Sequence, residues 1–392
     1  MPERMNVAER SCKSTTANRA NRHQNRMAKL RPIRWGEKMT KFKWLNDAWY
    51  VAMYSDALKA GDIVPRVMLN QGIALYRKAD GVVVALEDRC PHRNAPLSLG
   101  KVCGDDRIAC AYHGLEFDET GKCVFNPHGE GRIPAAARVR AYPVEEKYGM
   151  IWVWMGDLGN IAPTPVIDFL EPGTGYVHSK PNVIKMNTPW ELIIDNLVDL
   201  SHVSFLHDGV LGSRDMIGAK NELVQTGNTI VVSRIMPNVS PPEYADLLYH
   251  GDQKPVDKWH TVTWMPPTII LLDIGLTDRG AERSQGTGVY AAHLITPETE
   301  ESSYYHFLAV RWNLVQRSPE EHERIEKRLA EARVHAFANQ DDPMMRAQYE
   351  VMKRYGGELK PVMLDIDVGV ARWRRIIEKL ATAQQNDAAA MA

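Results

Sequence analysis

The sequence predicts an α+β protein in two parts: a small antiparallel β domain, then a larger domain in which helices accompany a central antiparallel sheet. Two observations lead to this prediction. Short apolar runs separated by Gly, Asp, Asn and Pro fill residues 44–154, a pattern typical of strands joined by tight turns. After a Pro-bearing stretch over 156–165, strand-like runs between 230 and 310 are flanked by segments of helical periodicity.

The first domain is expected to span residues 39–158. Strands are predicted at Ile73–Tyr76, Val82–Leu86, Leu115–Phe117 and Met150–Trp154, where apolar residues cluster between turn formers. The dipeptide Asp80-Gly81 lies between two of these runs and predicts a hairpin.

The second domain is expected to span residues 159–382. Apolar residues at helical spacing predict helices over Trp190–Phe205 and Arg372–Leu380. A charged helix is predicted over Pro319–Tyr349, because its proline and glutamates suit a helix start. The Ala- and Gln-rich residues 383–392 are expected to form a flexible tail.

The composition excludes several classes of protein. With 44% hydrophobic and 25% charged residues, the 392-residue chain is neither disordered nor fibrous. A net charge of −1 argues against a nucleic-acid binder. An odd set of five cysteines indicates a reducing compartment rather than a disulfide framework. Because no apolar run approaches the roughly 20 residues that span a bilayer, we expect a cytoplasmic protein with no membrane partner.

Residues 1–38 form a basic leader with ten Lys or Arg and three Asp or Glu. It has almost no apolar periodicity, so we expect it to stay disordered. A mitochondrial targeting segment is one interpretation of its Arg-rich composition. The one we favour is a spurious extension, with translation beginning at Met39, where the first apolar pattern starts.

Two short segments each combine one cysteine with one histidine. They read Cys90-Pro-His92 and Cys110-Ala-Tyr-His113, with 17 residues between them. Zinc would accept two thiolates and two imidazoles, but zinc fingers usually pair Cys with Cys and His with His. A [2Fe–2S] centre of the Rieske type instead takes two Cys on one iron and two His on the other, which two mixed loops can supply. The spacing resembles that of the Rieske iron–sulfur domain, and Cys12, Cys103 and Cys123 match no ligand position.

A second group of polar residues lies on the helix predicted from Trp190. Asn196, Asp199 and His202 form one stripe of that helix, and His207 follows. A solvated helix face is the plain alternative, although the rest of the helix is rich in Ile and Leu. His207 lies about 140° further round than His202 on an ideal helix. The two can share a metal only if the helix ends or is distorted between them; with a carboxylate they would form the triad of a non-haem Fe(II) oxygenase.

Residues 41–375 resemble the α subunits of Rieske non-haem iron oxygenases, whose Asn-x-x-Asp-x-x-His-x4-His motif is matched from Asn196 to His207. The resemblance implies a helix-grip-like catalytic domain in which His202 and His207 bind a mononuclear iron. It also implies that Asp199 links an iron-bound His to His113 of a neighbouring subunit. Such enzymes are usually head-to-tail homotrimers, because the two metals of one subunit are too far apart for fast electron transfer.

The third iron ligand implied by the resemblance is a distant carboxylate. The stretch from Asn339 to Gln348 is similar to the family's Glu-Asp-x-x-x-x-Glu-Ala-Gln segment, although Gln340 and Arg346 replace its two Glu residues. The register to Gln348 favours Asp341 as the ligand, and the adjacent Asp342 is the competitor.

Thr296-Pro-Glu-Thr299, preceded by His293, is similar to a stretch of the aromatic O-demethylases, vanillate O-demethylase oxygenase components among them. The resemblance implies that O2 and NADH-derived electrons from a separate flavin/iron–sulfur reductase oxidise a methoxybenzoate. The chain has no Gly-x-Gly-x-x-Gly fingerprint for a nicotinamide or flavin of its own. His293 is either a substrate contact or a strand histidine bonded to a backbone carbonyl. The alternatives are oxidation of a ring carbon, methyl or N-methyl group, or a Rieske-only electron carrier.

Overall fold

The computed structural model describes residues 44–356, 359 and 361–391. The leader predicted over 1–38 lies outside this range. Eleven strands make up the first domain: β1 Trp49–Tyr54, β2 Ile63–Met68, β3 Gln71–Arg77, β4 Val83–Glu87, β5 Lys101–Cys103, β6 Arg107–Ala109, β7 Glu116–Phe117, β8 Cys123–Phe125, β9 Ala141–Tyr142, β10 Val144–Lys147 and β11 Met150–Trp154. The predicted boundary after residue 158 falls between β11 and the next strand.

The second domain has longer strands and most of the helices. The strands are β12 Val177–His178, β13 Asn182–Met186, β14 Asn221–Thr226, β15 Thr229–Val239, β16 Val256–Met265, β17 Ile269–Thr277, β18 Thr287–Pro297 and β19 Ser303–Trp312. The helices are α1 Trp190–Val198, α2 Glu243–Leu248, α3 Pro319–Val334, α4 Asp342–Arg354 and α5 Val368–Met391, with a π-helical segment, His335–Asp341, joining α3 to α4. None of the helices in the described part of the chain is long and apolar enough to cross a membrane.

The first domain consists of three small antiparallel sheets, in the orders β1-β11-β10, β2-β3-β4-β9 and β5-β6-β7-β8. The predicted hairpin at Asp80-Gly81 is confirmed. It joins β3 to β4, in which Tyr76 pairs with Val84. Gly81 has φ +93°, a left-handed conformation that suits a residue without Cβ.

One eight-stranded antiparallel sheet organises the second domain, which confirms the predicted α+β fold. Its order is β12-β19-β18-β17-β16-β15-β14, and β13 also pairs with β19. Since successive side chains of a strand point to opposite faces, this sheet presents two separate surfaces. Helices α1 and α5 cover one of them, where Trp190 and Trp264 both pack against Trp373.

The other face of this sheet packs against the first domain. Trp49 of β1 and Trp152 of β11 share an apolar cluster with Leu294 of β18. The Thr296 hydroxyl donates to the Val51 carbonyl at 2.6 Å. The large sheet therefore lies between the first domain and the helices α1 and α5.

Helix α1 ends at Val198, so the prediction that it continues to Phe205 is wrong. Asp199 leaves the helical region (φ −79°, ψ 104°), and its carboxylate accepts the backbone N–H of Ser201 at 2.7 Å. Such a local side-chain bond competes with helix hydrogen bonding and ends the helix. His202 then lies in a separate 3-10 turn, His202–Ser204.

The two other predicted helices also differ from the structure. The segment predicted as one helix over 319–349 is three: α3, the π-helical segment and α4. The last helix runs from Val368 to Met391, so most of the tail predicted to be flexible is helical. Buried contacts fix its first half, because the Trp373 indole donates to Asp195 at 2.9 Å and Arg374 pairs with the same carboxylate.

Candidate metal centres and active site

The two Cys-His segments form loops of the same backbone design. In each, the cysteine N–H donates to the carbonyl five residues later, and the N–H four residues later donates to the cysteine carbonyl, at 2.8–2.9 Å. The residue four positions on has positive φ in both loops, +57° at Asn94 and +70° at Gly114. Residues 90–95 and 110–115 therefore present Cys90 and Cys110 in the same way.

These loops bring all four predicted cluster residues together. Cys90 and Cys110 are both buried. The pKa of Cys90 is raised to about 11, mainly by burial and to a smaller extent by the neighbouring Cys110 thiol. The rings of His92 and His113 lie 4.5 Å apart, one exposed and the other half-buried. Two buried thiols below two imidazoles at the surface fit a cluster with one Cys-bound and one His-bound iron.

A fifth residue at this site was missed by the sequence prediction. His128 contacts the His113 carbonyl oxygen through Nε2 at 2.8 Å, so it helps to hold the second loop. The remaining described cysteines, Cys103 and Cys123, lie on β5 and β8 outside the two loops.

The structure also brings together His202, His207 and Asp341. Their possible ligand atoms all lie within 4.8 Å of one another. Asp341 Oδ1 is 3.1 Å from His207 Nε2 and 3.7 Å from His202 Nε2. Oδ2 of Asp341 is buried and has no hydrogen-bond partner among the described residues. A buried carboxylate oxygen without a partner is costly, and a cation between these three groups would satisfy it.

Breaks in regular helix create this convergence. The sequence predicted that the helix ends or is distorted between His202 and His207, but α1 has already ended before His202. The loop then turns so that the His207 carbonyl accepts the N–H groups of Val210 and Leu211. The π-helical turn instead lies at the carboxylate, where it ends at Asp341. Such π-helical turns are frequent at functional sites.

Asp342 points away from the two histidines. Its Oδ1 accepts a hydrogen bond from the Thr188 hydroxyl at 2.8 Å, and Oδ2 lies 3.9 Å from Arg346. Of the two candidate carboxylates, the structure therefore places Asp341 beside the imidazoles.

Neighbouring polar groups hold the three side chains in position. Asn196 donates to Asp341 Oδ1 at 2.9 Å. His207 Nδ1 contacts the Gln340 amide oxygen at 2.8 Å, and His202 Nδ1 contacts the Asp199 carbonyl at 2.7 Å. With both Nδ1 atoms engaged, each Nε2 is directed at Asp341, as in metal sites whose ligands are oriented by a second ring of contacts.

Charge is concentrated around His202. Burial lowers the pKa of His202, but the carboxylates of Asp199 and Asp341 outweigh it, so the net pKa is raised. Burial conversely raises the pKa of Asp199, and His202 more than reverses this. The Asp199 side chain is 25% exposed, so this network reaches the surface of the chain.

A largely apolar cavity opens beside the three groups, and one face of the large sheet forms much of its wall. Its apolar sheet residues alternate along β17, β18 and β19: Leu272, Ile274, Leu276, Val289, Ala291 and Phe307. Phe337 of the π-helical segment also lines it. Three basic side chains project from the same face: Lys258, His260 and His293. The sequence prediction missed Lys258 and His260; their alternate spacing on a strand was the available signal.

His293 lies in the cavity wall, fully buried. Its Nδ1 shares a hydrogen bond with the Tyr305 hydroxyl, not with a backbone carbonyl, and Nε2 has no partner among the described residues. Burial and the charge of Arg333 lower the pKa of His293 to about 3, so the ring is neutral. The nearby Thr296 motif lies against the first domain instead, where Pro297 accepts the Leu69 N–H.

Comparisons with known proteins agree with this geometry. A family model described as the Rieske [2Fe-2S] domain matches residues 48–143, and one described as the vanillate O-demethylase oxygenase C-terminal domain matches residues 186–383. The chain therefore belongs to the Rieske oxygenases, and within them to the oxygenase components of the vanillate O-demethylase type. It is an oxidoreductase of the monooxygenase kind.

Individual relatives match almost end to end. The oxygenase component of a chloroacetanilide N-alkylformylase from Rhizorhabdus wittichii is 34% identical, over 87% of this chain and 97% of its own. The oxygenase component of a dicamba O-demethylase from Stenotrophomonas maltophilia is 33% identical, over 86% and 98%. Dicamba monooxygenase bound to 3,6-dichlorosalicylic acid superposes with a TM-score of 0.80 at 31% identity, covering 88% and 99%.

Proposed function

We propose that the chain is the terminal oxygenase of a two-component system that O-demethylates a methoxybenzoate such as vanillate. The observation that carries this proposal is the triad of His202, His207 and Asp341, the last two buried, beside a largely apolar cavity of the large sheet. A flavin/iron–sulfur reductase would supply electrons from NADH, since the sequence has no nucleotide fingerprint.

The ligand assignments follow from the donor sets. Two imidazoles and one carboxylate on one side of a metal are typical of non-haem Fe(II), so His202, His207 and Asp341 would hold the mononuclear iron. Cys90, Cys110, His92 and His113 would hold the [2Fe–2S] cluster. Iron held by such a triad supplies activation of O2, with single electrons delivered by the cluster.

The polar residues around the triad would position it. Asn196 holds the Asp341 carboxylate, and Gln340 keeps the proton of His207 on Nδ1, which leaves Nε2 free for the metal. Asp199 would connect His202 to the surface, because its carboxylate lies 3.6 Å from His202 Nδ1 and is partly exposed.

A homotrimer gives Asp199 its electron source. In one chain the first domain packs on the sheet face opposite to the cavity. The cluster that serves a given triad would therefore come from a neighbouring chain, with His113 of the partner subunit facing Asp199. A head-to-tail arrangement of this kind closes into a ring.

The cavity residues would bind the ring and limit water. Leu272, Ile274 and Phe307 offer apolar contact to an aromatic ring, and His293 Nε2 offers one unpaired polar atom. One oxygen atom of O2 enters the methoxy C–H bond, and the other leaves as water with two electrons and two protons. The hemiacetal then collapses to a phenol and formaldehyde, which balances the reaction at one NADH and one O2.

The test is formaldehyde release. Protein, a surrogate reductase, NADH and vanillate should give formaldehyde and 3,4-dihydroxybenzoate in equal amounts. The Asp341→Ala variant is the control for formaldehyde from other sources, and it should give none. Absence of formaldehyde from every methoxybenzoate in a panel would contradict the proposed substrate class.

N-dealkylation is the second candidate reaction, because a relative of 34% identity is named a chloroacetanilide N-alkylformylase. The same assay with a chloroacetanilide in place of vanillate separates the two reactions. If the anilide released aldehyde faster than vanillate, the proposed substrate would be an anilide and not a methoxybenzoate.

A Rieske-only electron carrier, the alternative from another class, does not agree with the match of residues 186–383 to an oxygenase C-terminal domain. The two centres together require about three irons per chain, whereas a carrier would hold two. Iron analysis of the purified protein, beside acid-labile sulfide, distinguishes them.

A further inference from the structure

We propose that Lys258 binds the acid group of an aromatic anion, a carboxylate or sulfonate, and thereby selects charged over neutral substrates. The inference rests on the proposed function only in that the substrate occupies the same cavity. It adds a residue that determines specificity.

Lys258 is buried without a counter-charge. Its side chain is 3% exposed, lines the cavity from β16, and has no hydrogen bond or ion pair with any described residue. A buried ammonium group is unfavourable unless an anion accompanies it. The Lys258 ammonium group is therefore an uncompensated buried charge at a position that a ligand in the cavity can reach.

The surrounding charges add to the cost instead of relieving it. On the neighbouring strand β15, the buried guanidinium of Arg234 donates to the carbonyls of Leu200 at 2.8 Å and Met216 at 2.6 Å. It thus brings a second positive charge and no acceptor. Burial, with the charge of Arg234, lowers the pKa of Lys258 to about 8, so the amine is still mostly protonated at pH 7.

The cavity is electrostatically divided. The acidic residues that line it in the described chain are Asp199 and Asp341, both in the metal network. Lys258 lies two positions along β16 from His260, which is buried and whose Nε2 has no partner. An aryl acid with its anion at Lys258 would therefore present its ring to the apolar residues and keep its charge away from the two carboxylates.

The experiment compares an acid with its uncharged amide. Binding is measured anaerobically by calorimetry on the iron-loaded protein without reductase, using vanillate, 4-hydroxy-3-methoxybenzamide and 4-hydroxy-3-methoxybenzenesulfonate. Lys258→Met should weaken vanillate binding roughly 10- to 100-fold, as expected for loss of a charge-assisted contact. Amide binding should change by no more than about twofold.

Two further variants serve as controls. Lys220→Met removes the same charge from an exposed position and should leave all three affinities unchanged. Lys258→Arg keeps the charge and should retain the preference for acid over amide. The visible spectrum of the cluster checks that each variant is folded and loaded.

The binding measurements test the role of Lys258 independently of the proposed demethylation. Equal weakening of acid and amide, no weakening, or failure of the wild type to bind either anion would overturn it. Selective loss of acid binding supports it even if no formaldehyde forms. The sulfonate arm shows which acid group the site prefers, since the anion of higher affinity identifies the better ligand.

Discussion

At the scale of single residues, two adjacent carboxylates point in different directions. Asp341 faces His202 and His207, whereas Asp342 accepts a bond from Thr188. Register alone favoured Asp341 but could not exclude its neighbour, because one residue along a helix turns a side chain by about 100°. Because the two carboxylates have different contacts in the structure, substitution of each should have a different effect.

Asp341→Asn should remove the mononuclear iron and abolish turnover, because a carboxylate ligand is replaced by a neutral amide. The visible spectrum of the cluster should persist. Asp342→Asn is the matched control: its amide oxygen can still accept the Thr188 bond, so stability should fall by no more than about 1 kcal/mol. Iron analysis and formaldehyde assays check both. The reverse pattern would show that Asp342 is the ligand.

The buried charge of Lys258 should make the free energy of unfolding depend on pH. Its pKa in the folded protein, about 8, is below the ordinary value of 10.5. The folded state therefore binds fewer protons than the unfolded state between these values, and stability rises with pH across that window. Below pH 8 the buried ammonium destabilises the ligand-free protein by about 3 kcal/mol.

Lys258→Met should consequently be more stable than the wild type at pH 7, with the advantage shrinking as the pH rises from 8 towards 10.5. The titratable neighbours of Lys258 include Arg234 and His260, whose charges act on it, and Tyr244 of the same cavity wall, and all three remain in the variant. Urea unfolding at several pH values measures the difference. A variant less stable than the wild type at pH 7 would contradict the uncompensated charge.

Gln340 shows what residue patterns cannot supply. The sequence shows it only as a departure from the family's Glu, yet its amide contacts His207 Nδ1 at 2.8 Å. The two residues are 133 positions apart, so no local spacing connects them. His293 and Tyr305 are only 12 positions apart, but their contact depends on the register between β18 and β19, which the sequence alone does not determine. By contrast, the four cluster residues occupy two local loops, and their spacing alone was enough to group them.

At the scale of elements, the loop after α1 carries both histidines of the triad, and one glycine closes it. A Cβ at Gly212 would lie 2.1 Å from the Val203 carbonyl oxygen, too close for any side chain. Gly209 and Gly212 pair across the loop at 2.8 Å. The position of His207 thus depends on this close approach of two backbones.

Gly212→Ala should displace the loop and reduce mononuclear iron binding, while the cluster in the first domain stays intact. Gly218→Ala is the control, because a Cβ there meets nothing within 4 Å and its φ is not positive. Iron content and the visible spectrum report the two centres separately. Equal iron content in both variants would show that the loop tolerates the displacement.

The strands were easier to predict than the helix ends. Hairpins such as that at Asp80-Gly81 are encoded locally, by turn residues between apolar runs. The end of α1 at Val198 and the π-helical segment are not, because their cause is a set of tertiary contacts around His202 and Asp341. The candidate metal site lies at these two places, where the helical periodicity of the sequence continues but the α-helix does not.

At the scale of the whole molecule, the large sheet separates two functions. The first domain packs against one face, and the cavity opens on the other. If electrons pass between chains, then a chain without a cluster and a chain without iron can complement each other. Local sequence patterns do not show which sheet face carries the first domain and which carries the cavity, because both depend on how the two domains pack together.

Mixing two inactive variants tests this exchange. Cys90→Ala would lack the cluster, and Asp341→Ala would lack the mononuclear iron. Co-refolded in equal amounts, they should recover about a quarter of the wild-type formaldehyde rate, the value for random pairing of a competent donor with a competent acceptor. Each variant alone should stay inactive, as should the two mixed without dissociation. No recovery after verified co-assembly would indicate an electron path within one chain.

In the proposed head-to-tail trimer, the first domain behind the sheet would also make specific activity depend on dilution. Below the dissociation constant of the assembly, a separated chain would keep both metal centres and its substrate cavity, yet its cluster would face a triad that is no longer there. Turnover per chain should then fall as the protein is diluted and recover when it is concentrated. A kcat measured at nanomolar enzyme would describe the assembly equilibrium as much as the chemistry.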